Sequence, residues 1–158
     1  MTGVDALDAR LLTLLSAEPR LGVLECSRRL GVARGTVQAR LDRMQRNGVV
    51  RGFGPDVDPA ALGYAVTAFA FLQIRQGRGA AVARRLAAIP EVIEVHTVTG
   101  EADLLARIVA RSNDDLQRVI DEVVADDDIA RTATHIALSV HLPYRTGQLL
   151  ERLTADPR

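Results

Sequence analysis

The spacing of apolar positions changes character near residue 55. Before it the pattern is helical. Leu7, Leu11, Leu12, Leu14 and Leu15 form a broad stripe that predicts a helix, opened by Asp5 and Asp8 as a helix-start signature and ended before Pro19. In the stretch 23–51, VLECSRRLGVARGTVQARLDRMQRNGVVR, a short helix with Cys26, Ser27 and Leu30 on its inner side runs to a turn at Gly31-Val32. A further helix follows, with Val37, Leu41 and Met44 at i, i+4 and i+7, which leaves Arg34, Thr36, Gln38, Arg40 and Arg43 to face outward. This is the outline of a helix-turn-helix. Its second helix starts poorly, because Ala33 stands where a capping side chain is favoured and Gly35 weakens the first turn. Asn47-Gly48 ends it, and residues 49–53 are expected to run on as a short extended segment.

Gly54-Pro55-Asp56 and Asp58-Pro59 mark a hinge, after which strands and helices alternate. The pattern predicts strands over 65–75, 92–99, 103–110 and 131–142, and helices over 80–89 and around Leu116, Val119, Ile120, Val123 and Val124. The order strand, helix, strand, strand, helix, strand is a split βαβ layout in which two helices cover one sheet face. The last strand alternates Thr132, Thr134 and Ile136 against Ala133, His135 and Ala137. Neither side is convincingly polar, which predicts pairing with a second copy.

Charge sharpens this division. The chain is neutral overall, with 20 basic and 20 acidic residues, and all its basic side chains are arginine. A GC-rich coding sequence produces such a bias, so arginine placement is the signal and arginine count is not. Residues 1–54 hold nine Arg and five Asp or Glu (+4), and residues 55–158 hold eleven and fifteen (−4). Between 23 and 51 seven Arg stand against Glu25 and Asp42, a local excess of +5 that suits phosphates. Thr36, Gln38 and Arg40 are expected at base edges and Arg34, Arg43 and Arg46 at phosphates, although the same residues also fit the solvated face of an amphipathic helix.

Other functional classes find little support. There is no apolar run of membrane-spanning length and no basic-then-apolar leader, so a cytoplasmic protein is expected. Cys26 is read as a small buried hydrophobe. His96, His135 and His141 are too scattered for a metal motif, no nucleophile signature occurs, and Gly77-Arg78-Gly79 lacks a phosphate-loop context. No enzyme activity, cofactor or metal is expected.

Taken together, LDARLLTLLSAEPR, RLGVARGTVQARLDRMQRNGVVRGF, DPAALGYAVTAF, IPEVIEVHTVTGEADLLARIVA and RTATHIAL, in this order, resemble the Lrp/AsnC family of transcription regulators. The resemblance implies an α+β chain: an N-terminal winged helix-turn-helix (1–53), a hinge (54–64), a ferredoxin-like βαββαβ effector-binding and oligomerisation domain (65–142), and a tail (143–158) that can form a short helix. It also implies homodimers assembling to tetramers or octamers, double-stranded DNA as partner, and an amino-acid effector held between subunits. Carried onto this chain, the effector loop is Thr99-Gly100-Glu101-Ala102-Asp103, joined by Thr132 and Thr134. On that basis Asp103→Ala is expected to spare the fold and abolish the effector response. Ala33-Arg34-Gly35 departs from the segment usual in the family, so the operator is not transferable. A rival on the same architecture resembles the siroheme decarboxylases, with His96 and Arg107 facing a tetrapyrrole.

Overall fold

The computed structural model describes residues 3–155, which divide into two units, one running to Pro55 and resuming at Leu142, the other spanning Asp56–His141. The first contains α1 (Ala6–Ala17), α2 (Val23–Leu30), α3 (Arg34–Arg46) and, from the far end of the chain, α6 (Gly147–Ala155), which packs along α1. Asp5 and Asp8 form a reciprocal capping box: the Asp8 amide donates to Asp5 Oδ1 (2.9 Å) and the Asp5 amide to Asp8 Oδ2 (3.0 Å). Gly31 closes α2 at φ 68°, a left-handed conformation, and turns the chain into α3. Ala33 begins α3 with no side-chain cap. Leu11, Cys26, Val37, Leu41 and Met44 form the shared core, so the apolar stripe of α3 is buried as its spacing predicts. Residues 49–58 join no strand ladder, and the expected extended segment is a loop.

The second unit opens with one 3-10 turn, Pro59–Leu62, capped by Asp58. Then come β1 (Val66–Ile74), α4 (Gly79–Leu86), β2 (Val92–Thr97), β3 (Leu104–Ala110), α5 (Asn113–Val124) and β4 (Ile129–Ala137). The strands form one antiparallel sheet in the order β2-β3-β1-β4. Ala68, Ala70, Leu72, Leu104, Ala106 and Ile108 meet Val82, Leu86, Leu116, Val119 and Val123 in a single core beneath α4 and α5. Small residues at the middle of β1 let the helices sit close to the sheet. Ser112 caps α5 through the Asp115 amide (3.1 Å). Asp126 and Asp128, at the other end of α5, pair with Arg85 of α4, and Asp128 also pairs with Arg78 (2.9 Å).

The final strand stops at Ala137 rather than Leu142. Thr67 opposite Ala137 is the last pair of the β1–β4 ladder. Leu138 (94% exposed), Val140 and Leu142 are exposed and join no strand.

Candidate nucleic-acid interface and ligand cavity

At 3.6 residues per turn, Thr36, Arg40 and Arg43 (i, i+4, i+7) share one flank of α3, while Gly35, Gln38, Ala39, Asp42 and Arg46 lie on its outer side. The set expected to read bases is therefore split. Gln38 is exposed and donates to Asp42 Oδ1 (2.8 Å), which orients its amide. Thr36 is exposed on the other flank. Arg40 turns toward α1: its Nη1 lies 2.6 Å from Asp5 Oδ2 and 2.8 Å from Asp8 Oδ1. Arg43 Nη2 donates to Asp8 Oδ2. The expected outward placement of Arg40 and Arg43 is thus corrected, because two carboxylates at the start of α1 claim them. The Arg40 hydrogen bond holds the Asp5 carboxyl below its ordinary value of 3.8, and Asp5 in turn raises the Arg40 guanidinium. Arg34 and Arg46 are exposed and join no ion pair among the described residues.

The open face of the sheet carries a cavity of about 520 Å³ beside the turn from β2 to β3. Thr99, Glu101 and Ala102 line it, and Gly100 at φ 116° makes the turn in a conformation that disfavours a Cβ. Asp103 has a different task. Its Oδ2 accepts the Ile74 amide (2.8 Å), its own amide donates to the Leu72 carbonyl (2.9 Å), and its carbonyl accepts from Val98 (3.0 Å). These bonds continue the sheet where the β1–β4 register shifts between Gln73 and Ile74.

Thr132 and Thr134 pair with Leu72 and Ala70, residues of the helix-covered core, and so share that face rather than the cavity's. The β4 residues at the cavity are the alternate ones, Arg131, Ala133 and His135. From β1 come Phe71, edge-on to the His135 ring at 5.5 Å, and Gln73, which donates to the Glu101 carbonyl (2.8 Å). The two β4 residues named from the sequence, Thr132 and Thr134, thus lie on the sheet face opposite the cavity. His96 and Arg107 line no part of the cavity: Arg107 Nη1 donates to Glu94 (3.2 Å), and His96 Nε2 lies 3.5 Å from the same carboxylate. No group of three or more metal-ligating side chains forms among the described residues.

Two family models match the sequence, an AsnC-type helix-turn-helix domain over residues 4–45 and an Lrp/AsnC ligand binding domain over residues 67–146. The HTH-type transcriptional regulator FL11 of Pyrococcus furiosus is 31% identical over 142 residues, covering 89% of this chain and 94% of that protein. The regulator AldR of Mycolicibacterium smegmatis is 31% identical over 137 residues, covering 84% and 80%. Among solved structures, E. coli AsnC aligns with a TM-score of 0.83 at 28% identity, over 91% of this chain and 98% of that one. The feast or famine regulatory protein of M. tuberculosis, solved with L-methionine, aligns at 0.80 and 25% identity over 90% and 97%.

Proposed function

The chain belongs to the Lrp/AsnC family of DNA-binding transcriptional regulators, and from that premise we propose that it recognises specific sites on double-stranded DNA through α3 and answers to a free amino acid held in the open-face cavity. One observation carries the effector assignment: Glu101 and Arg131, opposite in charge, stand at the wall of one cavity that also presents Phe71, Val98 and Ala133. An amino acid offers the matching groups. Arg131 suits a carboxylate in bidentate geometry, Glu101 suits an ammonium group, and the apolar residues suit a side chain. The L-methionine complex of the M. tuberculosis relative supports the same ligand class.

The cavity is open on the side away from α4 and α5. A second copy covering that face completes it and shields Phe71, so the working form is a homodimer that assembles further into tetramers or octamers. Effector bound at such a junction alters how subunits meet, and with it the spacing of paired recognition helices on successive major grooves. The role is regulatory and needs no cofactor.

Fluorescence anisotropy of the purified protein with its own upstream DNA and with scrambled duplex, across salt and an amino-acid panel, tests both parts. Preference for its own DNA that one amino acid shifts is the expected result. Equal binding to both duplexes, unmoved by every amino acid, overturns the reading.

A further inference from the structure

Asp8 is the most deeply buried charged side chain described in this protein, at 0% exposure, and both its oxygens are used. Oδ2 accepts the Asp5 amide and Arg43 Nη2; Oδ1 accepts Arg40 Nη1 at 2.8 Å. A capping box needs only the first of these bonds and functions at a solvated helix end. Burying a carboxylate is costly unless cations compensate it, and both cations here come from α3, the helix that carries the candidate base-reading residues.

Arg40 and Arg43 sit at i and i+3, so their attachment to one fixed carboxylate constrains α3 about its own axis. Apolar packing is non-directional: burial of Val37, Leu41 and Met44 against Leu11 and Cys26 fixes which side of α3 faces the core, and the two ion pairs add a directional constraint on its rotation. Side-chain ends lie about 5–6 Å from a helix axis, so a roll of about 20° moves Gln38 by about 2 Å. That displacement is enough to break a hydrogen bond to a base edge.

Resting on the DNA-binding reading above, the geometry assigns Asp8 to operator recognition as a positioning residue: through Arg40 and Arg43 it sets the rotation of α3, and with it which side chains meet the bases. It touches no DNA itself. It also withholds two arginines from phosphates, so part of the local +5 excess is internally neutralised.

The test is Asp8→Asn in the full chain, with far-UV circular dichroism as the folding check and anisotropy on its own upstream duplex and on scrambled duplex across salt. The expected result is a fall of about tenfold or more in the ratio of the two affinities. Binding to scrambled duplex should hold or strengthen, and its salt slope should steepen by about 0.9 for each arginine released to a phosphate. An unchanged ratio overturns the assignment, and so does equal weakening on both duplexes, which marks Asp8 as a stabiliser of the fold alone. If Asp8→Asn does not fold, Arg40→Met decides, since it leaves Asp8 paired with Arg43. It is then read on duplexes carrying single base-pair changes. Relaxed discrimination at many positions supports the assignment; relaxation at one base pair makes Arg40 a base reader and overturns it, as does no relaxation. Wild-type protein that prefers neither duplex fails the DNA-binding reading instead, a separate outcome.

Discussion

Arg34 and Asp103 both follow from what their side chains already hold. Arg34 begins α3, exposed and outside any ion pair among the described residues, so its charge is available to a phosphate. Arg34→Ala is expected to weaken binding to its own upstream duplex and to scrambled duplex alike and to reduce the salt slope by about 0.9 in an anisotropy titration. Asp103 is occupied by the Ile74 amide, so Asp103→Ala is expected to cost about 1 kcal/mol in urea unfolding, the worth of one hydrogen bond in the ladder. Unchanged stability with a lost effector response would return it to the ligand. Residue identity alone left this open, since a carboxylate after a glycine turn serves a ligand or a backbone amide equally well.

Ion pairs join elements whose apolar faces were predictable. Arg85 links α4 to the end of α5 through Asp126 and Asp128, and its hydrogen bonds hold both carboxyls below their ordinary 3.8. A carboxyl lowered by folding contributes stability that is fully present above its unfolded value and is lost as pH falls through the lower folded value. Arg85→Gln should therefore lower Tm near pH 7, and the gap from wild type should close on acidification below about pH 4, measured by thermal melts across pH. The helices and strands themselves were legible, because burial imposes a period of 3.6 or 2 on the residues that form them. The end of β4 was not: Leu138, Val140 and Leu142 continue the alternation in sequence, but the β1–β4 ladder ends at Thr67 opposite Ala137.

For the whole molecule, the sheet face opposite α4 and α5 is the main consequence of the fold. Phe71 is 38% exposed on it, and a partner that buries this ring would not tolerate a carboxylate in its place. On the homodimer proposed above, Phe71→Asp is expected to shift the protein to monomer in sedimentation velocity while its far-UV spectrum stays unchanged. Sequence by itself determined the order of parts, a helix-turn-helix followed by βαββαβ, since each element is written in local periodicity and turn residues. Tertiary structure decided which parity of β4 meets the cavity, placing Arg131 and His135 there and turning Thr132 and Thr134 toward α4 and α5. It also decided that Asp8 takes Arg40 and Arg43 from 32 and 35 residues away. Alternation places residues on two faces without saying what each face meets, and a buried charge is paired by whatever the fold brings beside it.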